Sequence, residues 1–196
     1  DRVRARAFYQ VSDRSYDDVQ LVDGASLSQG FRDFTFQQVR GRLSYALTPD
    51  LAIFGQAEAN TREYDELTDI DGVATSRDAD GYIFQLGTNF ELAALIRGDI
   101  AVGYLEDNTD AEVFNDISGT AVDATFEWFP TRLTTVRVDG LREATDPGLQ
   151  EASSATNTEF DLRIDHELYR NILLFASAGY QEYDFEDFDR TDEASE

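Results

Sequence analysis

The 196-residue chain contains no cysteine, no methionine and no lysine, and it has a single histidine. Without cysteine there are no disulfides and no thiolate sites, which is compatible with an oxidising location. One imidazole excludes a His-cluster metal centre. No stretch approaches the roughly 18 consecutive apolar residues of a transmembrane helix. The longest apolar patch, Leu92 to Ile96, is short, so a membrane crossing would have to be made by strands. All 16 basic residues are arginine, and 40 acids bring the formal net charge to −24. That excess would repel phosphates, so no nucleic-acid partner is expected. The acids interrupt strand-like segments rather than replacing them, and a folded domain is expected. Asp1 stands directly before alternating sequence, which predicts a mature chain or one cut from a longer protein.

The alternation is clearest between Thr158 and Leu168. Phe160, Leu162, Ile164 and Leu168 form an apolar row, and Glu159, Asp161, Arg163, Asp165 and Glu167 form an unbroken charged row. A strand with this period of two has one face in an apolar medium and one in water. A strand of a soluble sandwich alternates too, so one segment is ambiguous; the recurrence of the pattern in most other strand candidates points to a β-barrel in lipid.

Nine strands are predicted, approximately at 2–12, 34–47, 51–64, 80–92, 97–106, 117–129, 132–142, 158–169 and 172–183. Each is long enough to cross a bilayer at the usual tilt. Connections alternate in length. Short ones fall at Thr48 to Asp50, Ala93 to Ile96, Pro130-Thr131 and Tyr169 to Asn171; long polar ones span Ser12 to Asp33, Asp65 to Ala79, Asp107 to Asp116 and Glu143 to Asn157, with a tail from Asp184. Tight turns on one side and long loops on the other match short periplasmic turns and longer extracellular loops.

One row of the strands carries Val3, Tyr9, Val39, Leu43, Ile53, Phe84, Leu86, Val102, Val122, Phe126, Val138 and Leu174, and it contains no charge. The opposite row includes the candidate pore-lining residues Arg40, Arg42, Glu58, Arg62, Asp99, Asp123, Arg137, Asp139, Asp161, Arg163 and Asp165. An Arg facing lipid at the midplane costs about 2–4 kcal/mol, whereas a lumen tolerates it. Tyr45, Phe90, Trp128, Phe129 and Tyr169 near the short turns, and Tyr9, Tyr64, Tyr82, Tyr104 and Tyr183 toward the long loops, suggest two interfacial aromatic girdles. Acids dominate the long loops, among them Asp65, Glu66, Asp69, Asp71, Glu106, Asp107, Asp110, Glu112 and Asp116, and the tail carries Glu186, Asp187, Asp189, Asp192 and Glu193. The expected geometry is a lumen of mixed sign beneath a negative rim, which would act on permeating ions and polymers. Lumen Arg and Asp that merely pair with each other as barrel filling would look the same.

Four segments, Gly41 to Ala57, Phe90 to Leu105, Phe126 to Val136 and Arg163 to Leu174, resemble the outer-membrane "beta-barrel porin 2" group found mainly in alphaproteobacteria. The resemblance covers most of the chain and rests on turn and girdle patterns. It implies an all-β, antiparallel up-and-down transmembrane barrel in the outer membrane of a Gram-negative bacterium, in contact with lipid and lipopolysaccharide and of a kind linked to surface-polysaccharide export. It supplies no catalytic residues. Single-chain bacterial barrels have an even strand number. An odd count of nine therefore predicts that residues 1–196 form one domain covering only part of a barrel, incomplete at one or both ends.

Other chemistries have little footing. His166 lies on the apolar face of its strand near the Tyr169 turn, where an interfacial structural role is expected rather than a Ser-His-Asp site. Asp69-Ile-Asp-Gly72 begins like a calcium loop but lacks the later ligands, including a Glu at the twelfth position. Acids such as Asp161 and Asp165 share a face, as expected in any polar lumen, and do not specify a glycosidase pair. The expectation is a non-enzymatic protein with no metal and no cofactor. It would act as a porin-like channel for small polar solutes or for polysaccharide export, with a homo-oligomer a further option; the alternative is a structural or surface-assembly barrel without transport.

Overall fold

The computed structural model describes residues 2–184 other than 21, 23, 25, 71, 112 and 146–153. Among these, nine long strands form one sheet: β1 (Val3–Arg14), β2 (Phe34–Thr48), β3 (Leu51–Tyr64), β4 (Ala79–Leu92), β5 (Ile96–Thr109), β6 (Ile117–Thr131), β7 (Thr134–Thr145), β8 (Ala155–Tyr169) and β9 (Ile172–Asp184). Each pairs antiparallel with its sequence neighbours, and β1 and β9 are the two open edges. The sheet is all-β and up-and-down, and it is not closed into a ring. Two short ribbons, Val19–Gln20 with Ser26–Leu27 and Thr68–Ile70 with Val73–Thr75, lie in the long connections. No described helix is long and apolar enough to cross a membrane; the long elements are strands.

One predicted turn is displaced. Pro130 and Thr131 belong to β6, and the reversal is made by Arg132 and Leu133. Proline has no N–H to give a ladder, so within a sheet it is confined to edges and bulges. Here it sits in one: the β6–β7 register passes from Trp128 opposite Val136 to Thr131 opposite Thr134.

The β4–β5 reversal is also informative. Ala93 and Ala94 have φ of 50° and 54°, the left-handed pair at the centre of the turn that the Leu95 N–H closes on the Leu92 carbonyl, a pair that Asn-Gly normally supplies. Alanine in this region costs about 1–2 kcal/mol per residue. Replacing the pair with Asn-Gly is expected to stabilise the folded sheet by about 1 kcal/mol, since glycine's greater freedom in the unfolded chain cancels part of the gain. Urea unfolding in lipid vesicles would measure it, and an unchanged midpoint would contradict the strain.

The curvature of the sheet follows from contacts across it. Arg42 on β2 bonds Asp99 on β5, three strands away, at 2.5 and 3.1 Å. Neighbouring strands lie about 4.8 Å apart, so a flat sheet would separate these backbones by roughly 14 Å, near the limit of the two side chains. The polar face is therefore the concave, inner one. The apolar row looks outward: Phe84, Leu86, Val102, Tyr104 and Phe160 are all exposed, Phe84 by 63%. That arrangement inverts a water-soluble protein, in which such a row would be covered.

The ends of the strands next to the long connections are held by a repeated device. Asp33, Asp78 and Asp116 each stand immediately before a strand, and each carboxylate accepts a backbone N–H from the end of the preceding long strand or the segment just after it: Tyr16 at 2.7 Å, Tyr64 at 2.7 Å and Thr109 at 2.9 Å. In the first two cases the preceding Arg lies over the same tyrosine, Arg32 on Tyr16 at 4.1 Å and Arg77 on Tyr64 at 4.4 Å. The carbonyls of Asp33 and Asp78 in turn accept from Asp65 and Asp110 one hairpin further on. Three acids of the long connections, of which Asp116 reads in the sequence as part of the rim, thus splice successive hairpins together.

Candidate functional site: a charged inner face

Every candidate lining residue falls on the inner side of the register, and the structure sorts them into separate groups. In the first, Arg40 donates to Glu58 at 2.5 Å, and Glu58 also accepts from Gln38. Arg42 grips Asp99 with two nitrogens, Asn89 donates to the same carboxylate at 3.2 Å, and Asp123 lies within electrostatic reach of all four charges. The second group lies nearer the short turns: Arg97 pairs with Glu127, and Arg137 bonds Asp139 at 2.6 Å and reaches Glu127 at 3.5 Å. Thr125 donates to Asp139 at 3.0 Å. On β8 the pair is local, Arg163 with Asp165 at 2.8 Å. Asp161 stands opposite Asp139 and Gly179 without a paired cation among the described residues. Arg62 belongs to none of these groups. It is buried near the long connections, where it pairs with Asp107 and Ser154.

The best-built element of this face escaped the sequence reading. Phe54 sits on the inner row of β3, 4% exposed, and the Arg42 guanidinium covers its ring at 3.3 Å. The ring occupies space that only a glycine at position 87 leaves open: a Cβ on Gly87 would lie 2.3 Å from Phe54 Cζ and 2.4 Å from the Ile100 carbonyl oxygen. Gly87→Val is therefore expected to displace Phe54, loosen the Arg42–Asp99 grip and cost about 1–3 kcal/mol. Gly41→Val, where no atom lies within 4 Å of the added Cβ, is the control. Comparing their denaturation midpoints checks the stack; equal midpoints would refute it.

Three aromatic assignments change. Tyr64 faces inward against Phe34, ring centroids 5.2 Å apart, and Phe129 faces inward under Arg97 at 5.1 Å. Tyr183 also lies on the inner row, where its hydroxyl accepts from Gln181. Each has the parity of a neighbouring polar residue, Arg62, Glu127 and Gln181 respectively, and parity decides the face. Tyr9, Tyr45, Phe90, Trp128, Tyr82 and Tyr104 remain on the outer row with their apolar neighbours. His166 shares a hydrogen bond of 2.9 Å with Thr134 across the β7–β8 pair, a structural contact at the short-turn end. Among the described residues no group of three or more His, Cys, Asp or Glu is placed to hold a metal ion. In the suggested calcium loop, Asp69 accepts the backbone N–H of Gly72 at 2.8 Å, closing a turn. Asp71, Glu112 and the tail acids Glu186, Asp187, Asp189, Asp192 and Glu193 lie outside the described residues.

An outward apolar row, an inward charged row and strands of 12 to 15 residues are the marks of a sheet that crosses a membrane. The family described as "Putative beta-barrel porin 2" matches the chain over residues 1–196. The chain belongs to that family. It is an outer-membrane β-barrel protein, and this membership fits the alternation and the curved, polar-lined sheet. No curated protein and no solved structure matches it.

Proposed function

We propose that the inner face of this porin-family chain bounds a water-filled passage through the outer membrane of a Gram-negative bacterium. Small polar solutes would cross it, or a surface polysaccharide would be guided outward along it, between lipid and lipopolysaccharide on the apolar side. The observation that carries this reading is the half-open state of the inner charges. The side chains of Arg97, Arg137, Arg163 and Asp165 are 58, 47, 55 and 40% exposed rather than packed into a filled core. Their guanidinium donors suit hydroxyl and carboxylate oxygens. The chain acts without catalysis in this reading, as one barrel domain whose remaining wall comes from elsewhere.

Open edges are not viable in hydrocarbon. Nine successive antiparallel strands leave β1 and β9 running in the same direction, so joining them directly, within one copy or between two, would create a parallel pair. An odd number of further strands between the edges would keep every pair antiparallel.

A second reading, a structural barrel without transport, is favoured by the pairing of most inner charges with one another. Planar-bilayer conductance of the purified full-length protein decides between them, with surface-polysaccharide levels in a deletion strain testing export. Stepwise channels whose ion selectivity shifts in Arg137→Glu with Arg163→Glu are the expected result. No conductance and unchanged surface polymer would leave the structural reading in place.

A further inference from the structure

The wall formed by β6 and β7 parts before its neighbours do. Pairing of β5 with β6 continues to Asp107 opposite Ile117, and pairing of β7 with β8 continues to Thr145 opposite Ala155. Between β6 and β7 the last pair at this end is Val122 with Arg142. Beyond it, Glu143 to Thr145 and Ser154 to Asn157 leave β6 as a tip, with Tyr183 and Asp184 of β9 still paired to Asn157 and Thr156.

That tip does not extend into solvent. Ser154, Ala155, Thr156 and Asn157 are all buried, Ala155 completely. Ala144 packs on Leu105, Ile117 and Ala121, which are inner-row residues of β5 and β6. The tip has therefore folded over the concave face. It is fastened there by a buried contact among three elements: Arg62 on β3 pairs with Asp107 on β5, Arg62 also donates to the Ser154 hydroxyl at 2.5 Å, and Ser154 donates to Asp107. Arg62 and Ser154 are 92 residues apart in the chain. The Arg62 and Asp107 side chains are 5% and 1% exposed, and the Nε and Nη1 atoms of Arg62 have no acceptor among the described residues. Among the described residues, Asp107 and Ser154 thus orient the guanidinium. Between the tip and the wall a cavity of about 230 Å³ remains, with Glu143 and Thr145 on one side and Gln38, Glu58 and Arg62 on the other.

We infer that the folded-over end of β7–β8 is a constriction of the passage, held in place by the Arg62–Asp107–Ser154 latch, and that this latch sets the size of solute admitted. The inference rests on the passage reading above. The fastening rests on one hydroxyl: Ser154 accepts from Arg62 and donates to Asp107, so its loss frees the tip while the charge pair on the wall, shielded from solvent, stays in place at ordinary ionic strength.

The absence of cysteine provides a reversible test. In the full-length protein, Asp107→Cys with Ser154→Cys, made together with Arg62→Met so that no buried charge is left unpaired, replaces the latch with a pair of thiols that can be oxidised to a disulfide or left reduced. Single-channel conductance in planar bilayers and sugar-size cut-off in liposome swelling are read in both states, with Ser154→Ala as a second variant that opens the latch by removing the hydroxyl. Heat-modifiable migration in detergent confirms that each variant is folded. The oxidised pair should conduct like the parent, and both reduction and Ser154→Ala should raise conductance and the size cut-off together. If the folded parent conducts but reduction and Ser154→Ala leave both readings unchanged, the tip is not a constriction, although the passage stands. If the folded parent does not conduct at all, the passage reading fails and takes this one with it.

Discussion

Phe84→Arg should prevent insertion of the barrel, while Asn89→Arg on the same strand should be accommodated. Phe84 is exposed on the outer row between Tyr82 and Leu86, so a guanidinium there would sit in hydrocarbon at a cost of about 2–4 kcal/mol. Asn89 lies on the inner row beside Asp99, where a positive charge meets an acid and water. Gln85, the immediate neighbour of Phe84, is a poorer control than alternation alone suggests. Its side chain is buried and accepts a hydrogen bond from Gln56 at 3.1 Å. Folding yield in lipid vesicles, read from the heat-modifiable band, measures both variants. Equal defects would mean that the two faces have been assigned wrongly.

The second large effect is expected at Asp107. Removing its carboxylate by Asp107→Ala leaves the buried Arg62 guanidinium without a counter-charge, and breaking one half of such a pair typically costs about 3–5 kcal/mol. Replacing both partners, Arg62→Met with Asp107→Leu, should cost much less than the sum of the two single changes, because no uncompensated charge remains. A double-mutant cycle from urea unfolding in vesicles measures the coupling. Additive losses would show that the two groups do not form a buried pair.

Much of this architecture was visible along the chain because a strand repeats every two residues. The Phe160 to Leu168 row and the charged row between its members needed no tertiary information, and all nine strands are found within three residues of their expected ends. The alternating loop lengths were equally plain. What stayed hidden depends on partners distant in sequence. Arg42 and Asp99 are 57 residues apart, and no local pattern announces that curvature brings them together. Ser154 looked like loop until β7 and β8 left β6. Phe54, Tyr64 and Phe129 were obscured for a different reason: an aromatic side chain fits either face of a barrel wall, so parity rather than hydrophobicity decides its direction. Pro130 reads as a turn residue because proline breaks ladders, and a bulge satisfies the same constraint within the strand.

The most direct measurement of the central claim is a nitroxide scan of β6. Single cysteines placed from Val122 to Trp128 in the otherwise cysteine-free chain would carry the label in the outer-membrane-embedded, full-length protein. Collisions with lipid-soluble oxygen should peak at positions 122, 124, 126 and 128, and collisions with a water-soluble nickel chelate at 123, 125 and 127, in a strict period of two. Uniform accessibility to the chelate along the strand, or the same alternation with the phases exchanged, would contradict an outer-membrane wall whose charged face is turned inward.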